Sequence, residues 1–69
     1  MRFDIAMKAD QTTSHSLESG RTLYVHVVLG AIKVNGEPMA EGDGATVKKV
    51  NDVEFVGVNN SEALVFDLT

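Results

Sequence analysis

Apolar and polar residues alternate along much of this chain, and the longest alternating segment runs from residue 22 to residue 29. Successive side chains of a β-strand point to opposite faces of its sheet, so this alternation predicts a strand. One face would carry Leu23, Val25, Val27 and Leu29, and the other would carry Thr22, Tyr24, His26 and Val28. Because the second face is also fairly apolar, we predict a central strand that is covered on both sides.

Other short segments show the same pattern. Strands are predicted at Phe3, Ile5 and Met7, at Ile32 and Val34, over residues 45–50 and 53–58, and at Leu64, Phe66 and Leu68. In the last of these strands Asp67 would point away from the apolar face, which predicts a place at an edge or an interface. Pro38 has no amide hydrogen to donate and therefore suits a returning edge strand.

Turn-forming residues separate these strands. Asn35-Gly36 is a favoured dipeptide of tight hairpin turns, and further turns are predicted over 41–44, 51–52 and 59–62. Lys48-Lys49 interrupts the alternation, which indicates a bulge or an exposed edge. Residues 14–19 are predicted as loop or strand. Six or seven short strands of this kind indicate an all-β antiparallel sandwich or barrel, with residues 1–69 as a single domain.

The composition bears on how such a small domain is stabilised. The 69 residues include no cysteine, so disulfides are impossible and a structural metal is disfavoured. A chain of this length buries only about 60% of the surface that its unfolded form exposes. Oligomerisation remains as a means of stabilisation. Together with the second apolar face of residues 22–29, it predicts a homodimer.

The charge excludes some classes of partner. Ten acidic and six basic residues give a formal charge of −4, and Lys48-Lys49 is the one adjacent basic pair, which disfavours binding to nucleic acid. No apolar run approaches the roughly 20 residues of a membrane-spanning helix. The first residues do not form the pattern of a secretory signal. We therefore expect a cytoplasmic protein that binds neither nucleic acid nor membranes.

Few residues are candidates for catalysis or metal binding. His15 lies in a polar segment and is expected to face solvent, whereas His26 is expected to be a hydrogen-bonded packing residue on the second face of its strand. Both are weak metal candidates, because a metal site needs three or four converging ligands. Glu41 and Asp43 flank a glycine in a predicted turn, where solvated side chains are expected rather than an acid–base pair. The sequence therefore predicts no catalytic residue and no cofactor.

Arg21, Tyr24 and His26 are the candidates for binding a small molecule. Arginine offers a planar fork of donors, and tyrosine combines a large apolar ring with a polar hydroxyl. The alternative is structural: Tyr24 would pack at a protein interface, and Arg21 would end a turn.

The order of motifs resembles a known family. The run GRTLYVHVVLGAIKVNGEPMAEGDGATV, residues 20–47, is similar to the cupin pattern of a strand ending in V-x-x-G, an N-G hairpin and a G-D turn. With the closing ALVFDL, residues 63–68, it resembles the C-terminal cupin domain of pirin-like proteins, which include bacterial quercetin 2,3-dioxygenases. The resemblance implies a small antiparallel, jelly-roll-like cupin barrel or sandwich.

The same resemblance implies that this domain carries no metal, because in that family the ligands belong to the N-terminal cupin domain. The chain also departs from the general cupin metal motif. Leu23 stands where that motif has a glutamate, seven residues before Gly30, and no histidine occurs in residues 42–69.

We therefore expect a metal-free cupin module that assembles or binds a small ligand, acting as a homodimer and not as an enzyme. One alternative is a metal-dependent oxygenase of the quercetinase type, in which His15 and His26 of two subunits form a composite site. The other is a detached domain that completes a separate metal-bearing cupin.

Overall fold

A computed structural model describes all 69 residues, which form eight β-strands and no helix. The strands are β1 (Arg2–Met7), β2 (Thr12–Ser16), β3 (Thr22–Leu29), β4 (Ala31–Val34), β5 (Glu37–Ala40), β6 (Gly44–Lys48), β7 (Asp52–Gly57) and β8 (Ser61–Leu68). The structure accordingly contains no helix with the length and apolarity needed to cross a membrane.

The strands form two four-stranded antiparallel sheets. Sheet A has the strand order β1-β8-β3-β6, and sheet B has the order β2-β7-β4-β5. The predicted all-β antiparallel fold is confirmed. β3 lies between β8 and β6, so its prediction as a central strand is also confirmed, and Pro38 lies in the edge strand β5 as predicted.

One hydrophobic core fills the space between the sheets. It contains twelve buried side chains, which are Met7, Leu17, Leu23, Val25, Val27, Ile32, Val34, Met39, Val53, Phe55, Ala63 and Val65. Phe55 of sheet B is the largest fully buried side chain, and Leu23 and Val25 of sheet A are also fully buried. The inward face of β3 thus matches the alternation of the sequence as far as Val27.

The register changes at the end of β3. A β-bulge separates Val27 from Leu29, and Leu29 is exposed instead of continuing the buried face. Gly30 follows with a φ of 69°, and the chain then crosses from sheet A to sheet B. A β-carbon on Gly30 would lie 2.3 Å from the carbonyl oxygen of Asn60. Both the backbone angle and this close approach therefore require glycine at the corner.

The hairpin between β4 and β5 has the predicted turn. Asn35 and Gly36 both have positive φ angles, 48° and 82°, as a type I′ turn requires. The side-chain oxygen of Asn35 also accepts a hydrogen bond from the amide of Glu54, at 2.8 Å, which joins this turn to β7.

The inward face of β8 is the reverse of the prediction. Ala63, Val65 and Asp67 point into the molecule and are buried, whereas Leu64 and Phe66 are half-buried on the outside and Leu68 is exposed. The placement of Asp67 opposite the buried face was therefore wrong. β8 is flanked by β1 and β3 and is not an edge strand.

Candidate functional site

A buried carboxylate lies at the centre of a charged cluster at one end of the sandwich. Asp67 Oδ2 is 2.8 Å from His15 Nε2, and Asp67 Oδ1 accepts a hydrogen bond from Arg21 Nε at 2.5 Å. Arg21 Nη2 also donates to the carbonyl oxygen of Asp67, at 3.1 Å. Both oxygens of the carboxylate are thus engaged, which compensates for the removal of this charged group from water.

The backbone of Asp67 is held as firmly as its side chain. The amino group of Met1 donates to the carbonyl oxygen of Asp67 at 2.8 Å, and the amide of Asp67 donates to the carbonyl oxygen of Met1 at 2.6 Å. These bonds extend the pairing of β1 with β8 and place the two chain ends side by side.

The cluster shifts the acidity of its carboxylate. The hydrogen bond from Arg21, and then that with His15, hold the pKa of Asp67 below its ordinary value, although burial opposes this effect. Both partners thus stabilise the ionised form of Asp67, which at neutral pH is a carboxylate paired with the Arg21 guanidinium and hydrogen-bonded to His15.

The prediction of His15 as a solvent-facing residue was wrong. Its side chain is 20% exposed, contacts Asp67 and packs against Phe3, with the ring centroids 5.0 Å apart. His15 belongs to β2, which contains no apolar residue. Hydrophobic alternation therefore could not indicate which way the His15 side chain points.

A second candidate surface is the outward face of sheet A, which we call the outer face. Its central rows consist of apolar and aromatic side chains from β3 and β8, namely Tyr24, His26, Val28, Leu64, Phe66 and Leu68. The rings of Tyr24 and Phe66 lie 6.1 Å apart between centroids. In the single chain this face is open, since Tyr24, Val28 and Leu68 are 37%, 40% and 47% exposed.

Tyr24 is held in place by the neighbouring edge strand. Its ring extends over Gly44 of β6, where an added β-carbon would lie 2.3 Å from the tyrosine hydroxyl oxygen. The glycine therefore leaves room for the ring to lie flat along the sheet, and the ring covers backbone that would otherwise face water.

Two carboxylates border the outer face on the β1 side. A side-chain hydrogen bond with Asp4, together with the repulsion between the two charges, raises the pKa of Glu62. This edge of the face therefore carries two neighbouring carboxylates, with Arg2 on the same side of β1, beside a centre of mostly apolar and aromatic side chains.

The residues singled out from the sequence do not form one site. Tyr24 and His26 share the outer face, as their alternation predicts, but the Arg21 side chain bonds to Asp67 inside the end of the sandwich. Arg21 also ends a turn, because its amide donates to the carbonyl oxygen of Glu18 at 3.1 Å. His26 is half-buried and has no hydrogen-bond partner within the chain, which differs from the expected hydrogen-bonded residue.

The residues present do not fit a metal ion within one chain. His15 belongs to sheet B and contacts Asp67, whereas His26 belongs to the outer face of sheet A. No group of three or more histidine, cysteine, aspartate or glutamate side chains lies close enough to hold a metal. We therefore derive no chemistry through a metal for this chain.

Comparison with known proteins assigns the fold to a family. The family model for the quercetinase C-terminal cupin domain matches residues 2–68, so the chain belongs to this family of pirin-like cupin domains. A relative from Pseudomonas aeruginosa, named "Putative quercetin 2,3-dioxygenase PA1210", is 30% identical over 64 residues, covering 93% of this chain and 28% of the relative.

Solved structures agree with this family. The crystal structure of YhhW from Escherichia coli matches 99% of this chain with a TM-score of 0.96 and 25% sequence identity. A second structure, of the bacterial pirin YhhW in complex with nickel(II) from the same organism, matches 97% with a TM-score of 0.94 and the same identity. The chain spans less than a third of these relatives, 28% of one and 29% of the other.

Proposed function

We propose that this pirin-like cupin domain is a metal-free assembly module that pairs with a second copy of itself through the outer face of sheet A. The observation that supports the proposal is the row of apolar and aromatic side chains on β3 and β8, in which Tyr24, Val28 and Leu68 are open to solvent. The half-buried Leu64 and Phe66 lie in the same row, and Phe66 packs beside Tyr24. Tyrosine and phenylalanine are enriched at the centres of protein interfaces.

The shape and chemistry of the face also favour a sheet-on-sheet contact. Two antiparallel sheets pack face to face about 10 Å apart when their facing side chains are apolar. The centre of the outer face meets that condition, and the acidic pair Asp4 and Glu62 lies at its border, where charged groups of an interface remain hydrated. A symmetric pair of such faces would cover the second face of the central strand.

Sedimentation equilibrium of the chain and of Phe66→Glu tests this proposal. We expect the parent chain to have about twice its 7.4 kDa mass at micromolar concentration, and Phe66→Glu to be monomeric because a buried unpaired charge opposes pairing. Val58→Glu is the matched control, since Val58 is an exposed valine outside sheet A and its variant should remain dimeric. A parent chain that is monomeric under these conditions would contradict the homodimer.

A second candidate is that the same face docks a metal-bearing cupin domain. The observation that favours it is the length of the relatives, more than two thirds of which lies outside the match to this chain. In this arrangement the oxygenase chemistry named for the Pseudomonas relative would belong to the other domain, and this chain would complete its structure.

A chimera can distinguish the two candidates. This chain would replace the matching segment of Escherichia coli YhhW, and the melting temperature and nickel content of the chimera would be measured with and without Phe66→Glu. Under the second candidate, Phe66→Glu destabilises the chimera while Val58→Glu does not. Equal melting temperatures for the two variants would argue against docking of the metal-bearing domain on this face.

Elemental analysis of the isolated, untagged chain tests its proposed metal-free state. We expect no stoichiometric iron, manganese, nickel, copper or zinc. A stoichiometric metal would instead support the oxygenase alternative with a site composed of His15 and His26 from two subunits.

A further inference from the structure

A polar cleft lies at one end of the sandwich, beyond the apolar centre of the outer face. Its volume is about 430 Å³, and two loops form its walls: residues 18–22 between β2 and β3, and residues 48–51 between β6 and β7. The amide of Leu17 donates to the carbonyl oxygen of Asn51 at 2.8 Å, which joins the two loops at the base of the cleft.

The cleft concentrates positive charge in an acidic protein. Of the six basic residues in the chain, Arg21, Lys48 and Lys49 line it, against Glu18 as the one acidic residue of the lining. Neither lysine forms a salt bridge, because the ion pairs of the structure involve only Asp67 with His15 and Arg21. Two lysines without a salt-bridge partner thus line one concave surface whose other lining residues are mostly polar.

The backbone at Lys49 provides an independent observation. Lys49 has a φ of 63°, in the left-handed region that glycine, asparagine and aspartate adopt most readily. The other non-glycine residues with positive φ are Asp10 and Asn35, which are of that type. A lysine at such a position costs stability, and strain of this kind is concentrated at functional sites. The strained backbone at Lys49 therefore points to a role for this residue outside the fold.

Arg21 is the rigid element of the cleft. Asp67 holds its guanidinium through Nε and Nη2, and Nη1 makes no hydrogen bond within the chain. A guanidinium that is already oriented loses little freedom when it binds an oxyanion, and its fork of donors matches carboxylate and phosphate oxygens. Thr22, which pairs with Lys48 across the sheet, adds a hydroxyl to the same wall.

We propose that this cleft binds a small oxyanion, a phosphate or carboxylate group, between the ammonium groups of Lys48 and Lys49 and the guanidinium of Arg21. The role of Asp67 is to position Arg21, and Glu18, in the same loop as Arg21, disfavours ligands of high negative charge. Thr22 and Lys48 lie on the outer side of sheet A beside Leu68, so the cleft adjoins one end of the outer face. It is formed within a single chain and does not require the domain to pair.

Amide NMR titration of the ¹⁵N-labelled chain with inorganic phosphate, and separately with succinate, tests the proposal at pH 7 and constant ionic strength. We expect shifts confined to residues 17–22 and 48–51 that saturate in the millimolar range. Saturation by phosphate alone identifies a phosphate site, saturation by succinate alone a carboxylate site, and saturation by both a general oxyanion site. Lack of saturation by either, or equal shifts with chloride, would overturn the proposal.

Substitutions connect the binding to the cleft. Lys48→Gln combined with Lys49→Gln should weaken binding by about tenfold or more, because both mobile positive charges are lost. Lys33→Gln is the matched control: Lys33 is an exposed lysine of β4 outside the cleft, and its loss should change the affinity by less than about twofold. Equal affinities for the double variant and the control would overturn the proposal.

Lys49→Asn separates function from folding. Asparagine tolerates the left-handed backbone better than lysine, so we expect the melting temperature to rise by about 2–5 °C while phosphate or succinate binding weakens. A variant that is more stable and binds as well as the parent chain would show that the strained lysine has no part in binding.

Discussion

The contribution of Phe55 to stability follows directly from its place in the core. The side chain is fully buried between the two sheets, and it is paired through its backbone with Thr13 of β2 and Val34 of β4. Phe55→Ala would leave a cavity and should cost about 3–5 kcal/mol. The whole domain is expected to be stable by only about 3–10 kcal/mol, given its 69 residues. That variant should therefore lose about a third or more of the total stability, and it should be largely unfolded if the total lies near the lower end of this range.

Phe55→Leu is the more informative substitution, since it keeps an apolar side chain and should cost about 1–2 kcal/mol. For a domain of this size, 1 kcal/mol corresponds to roughly 7 °C in melting temperature. Circular dichroism should therefore record a fall of about 7–14 °C. Val58→Ala is the control, because Val58 is 49% exposed and its truncation should change the melting temperature by less than about 3 °C. Equal shifts in the two variants would refute the assignment of Phe55 to the centre of the core.

Three further predictions concern the corner of the chain and its two perturbed carboxylates. Gly30→Ala should cost about 2–4 kcal/mol, measured by urea denaturation, because the added β-carbon meets the Asn60 carbonyl and φ is positive; unchanged stability would contradict the corner geometry. The lowered pKa of Asp67 means that its stabilisation is present above about pH 4 and is lost as the pH falls through the lowered value. Asp67→Asn should therefore reduce the melting temperature at pH 7 and flatten its fall in acid, whereas parallel pH profiles would refute the network. The raised pKa of Glu62 has the opposite sign: its relative stabilisation is present below about pH 4 and is lost as the pH rises through the raised value. Glu62→Gln should raise the melting temperature at pH 7 but not at pH 3, and an equal rise at both would contradict repulsion by Asp4.

The parts of the fold that depend on local pattern could be predicted from the sequence. β3 was predicted with its observed bounds. The Asn35-Gly36 turn was predicted because these two residues readily adopt the positive φ angles of a tight hairpin turn, whatever the rest of the chain does. The resemblance to the C-terminal cupin domain of pirin-like proteins is confirmed by the family match over residues 2–68.

The errors involve contacts between distant parts of the chain. In β8 the larger apolar side chains, Leu64 and Phe66, indicated the buried face, yet the smaller Ala63 and Val65 pack inward beside Asp67. An aspartate can be buried there because Arg21 and His15 surround it, and these partners are 46 and 52 residues away in sequence. The sequence does show that Asp67 shares a face of β8 with Ala63 and Val65. That position indicates a buried aspartate only if the partners Arg21 and His15 are already known.

The adjacency of Met1 and Asp67 has a consequence for how this domain can be joined to others. Any polypeptide attached before residue 1 would leave the sandwich beside one attached after residue 69, so the domain can be inserted into a host loop or circularly permuted without stretching the chain. Both junctions would lie at the end of the sandwich that holds Arg21 and its cleft, and the Gly30 corner at the far end of β3 would remain free. A fused neighbouring domain would therefore lie next to the charged end of this domain. The linker that joins the two would then limit which molecules can reach the cleft.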